Sequence, residues 1–251
     1  MKICVLSSGS KGNSSLIITD KAKVLIDDGM QLPYIDDSLK ELNITVNDLD
    51  GILITHEHDD HIKGLKKLIS KYDPLLYVDN KLYEVLNKSL GNFRYELYED
   101  NIIIGDLKIN VMKMSHDSTI CNGFIIKNNR KELVYITDTG YINRKYIDLI
   151  TNKDMYVIES NHDIEMLENG PYPYFLKQRV ISDRGHLSNT QTSKYLKKVI
   201  GPKTKNIIFI HLSEKNNKPE LVLETFNKYN DFNNDNIVIS KQNKISKVIE
   251  I

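Results

Sequence analysis

Short apolar runs rich in β-branched residues recur along the chain, separated by Asp, Asn, Gly and Lys. They fall at Ile3–Leu6, Leu16–Thr19, Lys23–Asp27, Ile52–Thr55 and Leu75–Val78, then at Ile102–Ile104, Lys108–Met112, Phe124–Ile126, Leu133–Thr137, Met155–Glu159, Ile207–Ile210 and Ile237–Ile239. β-Branched side chains favour the pleated surface of a sheet. Several runs lack the apolar–polar alternation of a strand with one wet face, which predicts strands covered on both sides. Between them the apolar spacing changes. Ile62, Leu65, Leu68, Ile69 and Tyr72 predict a helix over Ile62–Tyr72, and similar spacing predicts helices over Lys81–Leu90, Arg144–Thr151, Asn189–Ile200 and Pro219–Tyr229. Ser188 with Gln191 three residues on predicts a capping box at the fourth of these.

A strand-rich opening third with helices inserted through both halves excludes a plain strand–helix–strand repeat. It predicts an α/β protein of two packed mixed sheets with helices outside. No repeat, linker or low-complexity stretch divides the 251 residues, so one domain over 1–251 is expected. Apolar residues at 40 % suffice for a sizeable core, and 34 basic residues balance 34 acidic ones. The chain therefore lacks the field of a protein that coats nucleic acid, although a local basic groove remains compatible with this balance. Cys4 and Cys121 lie far apart in strand-like contexts and form no ligand pair, which reads as reduced core thiols. The opening Met1–Leu6 is too short for a secretory leader and no apolar run approaches a membrane span, so a cytoplasmic protein is expected.

One stretch changes the picture. An apolar run ends at Thr55, and the next six residues, His56-Glu57-His58-Asp59-Asp60-His61, hold three histidines and three carboxylates. An extended loop sends alternate side chains to one side, so His56 and His58 fall together while Asp60 and His61 are placed for a second cation. Imidazole suits zinc, and a carboxylate in the set admits manganese or iron.

The motif resembles the signature of the metallo-β-lactamase superfamily. Further matches follow in the expected order, each at the end of an apolar run: Met114-Ser115-His116-Asp117, Tyr135-Ile136-Thr137-Asp138-Thr139-Gly140 and Ile208-Phe209-Ile210-His211-Leu212-Ser213. The resemblance implies an αββα sandwich holding two divalent cations, zinc with manganese as alternative. His116 would complete the first site, Asp138 would bridge both and His211 would complete the second. Asp27, in Val24-Leu25-Ile26-Asp27-Asp28-Gly29, matches the aspartate that braces the ligand loop without touching metal. A turn-forming Asp before Gly29 reads equally well.

Glu159, in Glu159-Ser160-Asn161, and His186, in Arg184-Gly185-His186-Leu187-Ser188, resemble the acidic and Gly-His-x-Ser elements of the superfamily's nucleases. A carboxylate charging an imidazole would let it protonate the departing oxygen of a phosphodiester. Leu6–Ser14, Glu159–Asp163 and His211–Glu220 are similar to hallmark segments of the YycJ/WalJ family, a resemblance that spans essentially the whole chain. It implies a 5′→3′ exonuclease on double-stranded DNA, linked to mismatch repair, in which a bridging hydroxide shared by two cations attacks phosphorus. Asp60, Glu159 and His186 are the candidate catalytic residues. Ser8, Ser10, Asn13, Asn161, His162 and Arg184 are candidates for substrate contact, with His162 read equally as structural. Amides of the Ser8–Ser14 loop could form a phosphate-binding concavity, or the loop could be a plain hairpin turn. Arg179 could also hold phosphate, whereas Lys63, Lys66 and Lys67 read first as a solvated helix face. Two other classes stay open: a hydrolase of a thioester, lactone or cyclic nucleotide, and a metal-bound regulatory protein without turnover. The intact ligand set argues against the second.

Overall fold

The computed structural model describes residues 1–251, and the apolar runs become strands of two seven-stranded sheets. The first sheet contains β1 (Lys2–Ser7), β2 (Ser14–Ile18), β3 (Lys23–Ile26), β4 (Gly51–Leu53), β5 (Leu76–Asp79) and β6 (Tyr95–Tyr98). The second contains β7 (Asn101–Ile104), β8 (Leu107–Met114), β9 (Cys121–Asn128), β10 (Lys131–Ile136), β11 (Met155–Glu159), β12 (Asn206–Ile210) and β13 (Ile237–Ile239). The last strand, β14 (Ile249–Glu250), returns to pair with β1.

Each sheet is mixed in the same way. β14-β1-β2-β3 are antiparallel neighbours, and β3-β4-β5-β6 run parallel. In the second sheet β7-β8-β9-β10 are antiparallel and β10-β11-β12-β13 parallel. The carboxyl ends of parallel strands are where open α/β sheets gather ligands, and both sheets send their functional residues from that edge.

The core has three layers. Ile3, Val5, Val24, Ile26 and Leu53 of the first sheet meet Ile109, Phe124, Ile126, Val157, Ile208 and Ile210 of the second. Intervening residues point the other way. Cys4, Leu6, Leu25, Ile52 and Val78 pack on α1 (Leu32–Glu41), α3 (Leu65–Tyr72) and α4 (Asn80–Leu90) through Ile35, Leu39, Leu65, Leu68, Leu82 and Leu86. Val134, Ile136, Tyr156, Ile158, Ile207 and Phe209 pack on α5 (Ile147–Ile150), α8 (Asn189–Val199) and α9 (Pro219–Tyr229). This alternation explains the uninterrupted apolar runs, because each strand has a sheet on one face and a helix on the other. Phe209 meets Phe226 of α9 edge-on with ring centroids 5.5 Å apart, an arrangement worth about 0.5–1.5 kcal/mol beyond the buried area. The fold is the αββα sandwich, and both cysteines are free and buried. No helix is long and apolar enough to cross a membrane.

Several boundaries differ from the sequence reading. The helix expected over Ile62–Tyr72 begins as α2 (Asp59–Ile62) and breaks before α3. At Gly64 a Cβ would lie 2.0 Å from the Met30 carbonyl oxygen, so the close approach of the 28–30 loop requires glycine there. Arg144–Thr151 is a 3-10 turn followed by the short α5. β6, β14, α6 (Ile164–Asn169) and α7 (Tyr174–Ile181) had no sequence signal strong enough to name them, whereas α1 went unnamed although Pro33 in its first turn and Leu32, Ile35 and Leu39 on one face carry the helical pattern. β6 is an exposed edge strand in which only Tyr98 is buried, and α7 buries only Val180.

Candidate metal centre and active site

β4 ends at Leu53, and the extended chain beyond it buries His56 and half-buries His58. His58 is the N-cap residue of α2, which puts Asp59 and Asp60 in the first turn, where the helix dipole favours negative charge. His61 follows on the same short helix. The β8–β9 connection supplies His116, the end of β10 supplies Asp138, and the end of β12 supplies His211. Asp27 and His211 both take left-handed backbone conformations, with φ of 60° and 57°. Such conformations are costly for non-glycine residues and survive where the surroundings enforce them. Here each turns a side chain off a strand end into one space.

Two groups match the expected ligand sets, His56–His58–His116–Asp138 and Asp60–His61–Asp138–His211, each with its ligand atoms within 4.8 Å of one another, and Glu159 and His186 form a third such group with Asp138 and His211. Asp138 belongs to all three. Its Oδ2 lies 3.7 Å from His56 Nε2, 3.6 Å from His116 Nε2 and 3.5 Å from His61 Nε2, while its Oδ1 lies 3.3 Å from His211 Nδ1. His211 Nε2 is 3.3 Å from Asp60 Oδ2. Ligands about 2.1 Å from a tetrahedral cation stand about 3.4 Å apart, so these separations fit divalent metal. His56 Nε2 adds a second sign, being buried with no hydrogen-bond partner in the protein. Burial opposes charge on Asp138, yet the imidazoles of His211, His61 and His56 hold its carboxyl well below the usual value.

Partners behind the imidazoles set which nitrogen faces the site. Asp27 accepts from the Thr55 amide at 2.8 Å and the Thr55 hydroxyl at 2.7 Å, and its Oδ2 lies 2.7 Å from His61 Nδ1. Because the Thr55 hydroxyl donates to Asp27, its oxygen is left to accept from His56 Nδ1 at 3.0 Å. His116 Nδ1 donates to the Gly185 carbonyl at 3.1 Å. In all three rings Nδ1 is thereby protonated and Nε2 is directed inward, as metal-binding histidines require. Asp27→Ala is expected to lower metal affinity about 10- to 100-fold while His56 and His61 remain in the chain. Metal titration of the stripped variant checks this, and unchanged affinity would remove Asp27 from the positioning role.

Asp28, beside it, is buried with neither carboxylate oxygen hydrogen-bonded. Burial, and then the neighbouring Asp27, pushes its pKa from 3.8 to about 8. The folded protein thus keeps a proton that the unfolded chain releases. This contribution to stability is complete below about pH 4 and is lost as pH rises toward about 8. Denaturation midpoints of Asp28→Asn followed across that range are expected to show a flatter decline than the parent, and parallel curves would contradict it.

The two groups open into a cavity of about 200 Å³, lined also by Ser10, Asp117, Asn161, Tyr172, Leu176, Arg179, Val180, Gly185, His186 and Ser213. His186 stands between the groups, its ring 5.0 Å from that of His116 and 5.2 Å from that of His211. Its Nδ1 is 3.1 Å from Glu159 Oε2. Glu159 is fully buried at the end of β11, and its other oxygen accepts from the amides of Thr139 at 2.7 Å and Leu187 at 3.1 Å. Burial would raise this carboxyl, but the His186 imidazole and the hydrogen bonds from His186 and His211 hold it below its usual value. The Ser188–Gln191 capping box forms as read and anchors the loop carrying His186 to α8.

The other candidates separate by position. Ser10 and Asn161 line the cavity, and Asn161 also donates to the His211 carbonyl at 3.0 Å. Asn13 sits behind it, its amide nitrogen 3.2 Å from both Asp60 Oδ2 and His61 Nε2. Ser8 is buried and accepts from the His211 amide at 2.7 Å, so it supports a strand end. His162 is buried behind the wall, with Nδ1 unpartnered and its pKa pushed down to about 4 by burial and then by His186. Arg184 donates Nε and Nη2 to the His116 carbonyl, each at 3.2 Å, which latches the 182–185 loop and leaves the guanidinium outside the lining. The first loop does not form the phosphate concavity. The amides of Ser8, Gly9, Lys11, Gly12 and Asn13 are already engaged, by Lys241 and Gly9 carbonyls and by Asn13, Gln242 and Asp60. Lys63, Lys66 and Lys67 are exposed. Asp117 was not singled out in the sequence, although it follows His116 directly. It pairs with Arg179 and reaches within 3.4 Å of His116 Nε2. Tyr172 was missed as well; its one signal was the Pro-Tyr-Pro setting.

Residues 23–212 match the beta-lactamase superfamily domain. Exodeoxyribonuclease YycJ of Bacillus anthracis is 38 % identical over 222 residues, covering 86 % of this chain and 84 % of that protein. Exodeoxyribonuclease WalJ of Streptococcus pneumoniae is 38 % identical over 227 residues, covering 88 % and 84 %. Among solved structures, the metallo-β-lactamase fold protein YhfI of Bacillus subtilis superposes with a TM-score of 0.72 at 15 % identity, over 98 % of this chain and 99 % of that one. The short form of human tRNase Z gives 0.67 at 12 % identity, over 98 % and 99 %. At such identities these two speak for the fold alone.

Proposed function

The chain belongs to the metallo-β-lactamase superfamily and, within it, to the YycJ/WalJ family, and from that premise we propose that it is a metal-dependent nuclease that removes nucleotides from the 5′ ends of duplex DNA. The observation that carries the reading is the Glu159–His186 pair, with His186 on the cavity wall between the two ligand groups. A phosphodiester expels an alkoxide, which needs a proton as it leaves. His186 holds Glu159 through Nδ1, so Nε2 is the atom available to deliver that proton. Glu159 orients the ring through that contact, and is itself fixed by two backbone amides. Two divalent cations, held by His56, His58, His116 and Asp138 and by Asp60, His61, Asp138 and His211, would supply an activated water at neutral pH and offset the charge gathering on phosphate. Zinc suits the imidazole-rich set and the carboxylates admit manganese. Ser10, Asn161 and Arg179 offer polar contacts to the sugar–phosphate backbone from the same cavity. The names carried by the YycJ and WalJ relatives support DNA as substrate. With no net charge on the chain, contact is confined to a few phosphates near the site, and affinity falls only gently with salt.

The test sets metal-loaded protein against duplexes labelled at either end, in zinc and in manganese, alongside RNA, a thioester, a lactone and a cyclic nucleotide. Release of the 5′ label is expected. Robust thioester or lactone turnover with intact DNA would reverse the reading.

A further inference from the structure

The segment Pro171-Tyr172-Pro173-Tyr174-Phe175 leads into α7 and has no part in the chemistry described above. Tyr172 lines the cavity, as do Leu176, Arg179 and Val180 of α7. Helical residues three and four apart share a face, so those three define the side of α7 turned to the site. Phe175 lies one turn before Arg179, at the edge of that side. Tyr174 falls on the opposite side, with Gln178 and Ile181. Both aromatics are exposed, Phe175 at 73 % and Tyr174 at 76 %. Exposure alone means little, since lone apolar side chains on surfaces are common. Phe175 is distinguished by its sequence position, three residues after the cavity-lining Tyr172 and one helical turn before the cavity-lining Arg179, although it is not itself part of the lining. Pro171 and Pro173 fix their own φ on either side of Tyr172, which narrows the backbone freedom of the segment that presents it to the cavity.

Resting on the nuclease reading, we propose that Tyr172 and Phe175 form a stacking platform for the base next to the scissile phosphate, and that this base reaches it only when unpaired. Inside a duplex each base face is covered by its neighbours, whereas an unpaired base offers a free π-face that aromatic side chains hold regardless of sequence. The substrate class is then a DNA end whose terminal nucleotide has frayed or carries a short unpaired stretch, and a tightly paired blunt end is a poorer substrate.

Steady-state cleavage of G·C-rich blunt duplexes is compared with that of the same duplexes bearing unpaired 5′ nucleotides. The parent protein is expected to favour unpaired ends. Phe175→Ala should raise KM for them by roughly tenfold, within the range that loss of one base–aromatic stack produces, and should narrow the preference. Phe175→Trp should keep both, and Tyr174→Ala should behave as the parent. A second readout is independent of turnover: phosphorothioate-protected DNA with 5-iododeoxyuridine at the terminal position should photocross-link to Tyr172 or Phe175. Cross-links elsewhere, or a Phe175→Ala enzyme matching the parent on DNA that the parent cleaves, would overturn the platform while leaving the nuclease reading intact. A parent protein that cleaves no nucleic acid would remove the nuclease reading and the platform with it.

Discussion

Asp138→Ala is expected to hold less than one divalent ion per chain after re-equilibration with metal, while the parent holds up to two. The reason is geometric. One carboxylate faces four imidazoles, from His56, His61 and His116 on one oxygen and His211 on the other, each 3.3–3.7 Å away. Removing it takes a ligand from both groups at once and leaves the imidazoles with less charge to balance. Groups that merely orient metal ligands contribute about 10- to 100-fold in affinity, so the loss of a shared ligand should exceed about 100-fold. Thermal stability should follow, because a ligand that binds only the folded state at 1,000 times its Kd adds about 4 kcal/mol, and most of that metal-dependent gain would disappear. Elemental analysis with melting curves in metal and in chelator checks both. A variant retaining two ions would show that Asp138 is not shared.

His186→Ala is expected to do the reverse, keeping its metal and losing rate. The imidazole touches Glu159 and faces the cavity, while both ligand groups are complete without it. Loss of a proton donor to a poor leaving group costs about 10²–10⁴-fold. The deficit should shrink on a phosphodiester with a nitrophenolate leaving group, which departs without protonation. That comparison separates proton transfer from simple disruption, since a disturbed site would slow both substrates alike. Parent-like cleavage of ordinary DNA by the variant would make His186 a bystander.

Much of this protein was legible before folding. The uninterrupted apolar runs announced strands covered on both sides, because alternate residues of β1, β3 and β12 each have a separate apolar layer to enter. The order of His56, His58, Asp60, His61, His116, Asp138 and His211 was equally plain, since each ends or closely follows such a run. Burial and chemistry there write themselves into local pattern. Elements that bury little left no comparable trace, which is why β6 and α7 were not foreseen. Tertiary structure alone decided the roles that depend on partners distant in sequence. Arg184 was drawn to the His116 carbonyl, Ser8 to the His211 amide, and the first-loop amides to Asn13, Gln242 and Asp60. A buried donor or acceptor must be satisfied wherever its partner lies. Which polar groups are consumed in holding the site, and which remain free to meet a substrate, is therefore settled only when the two sheets come together.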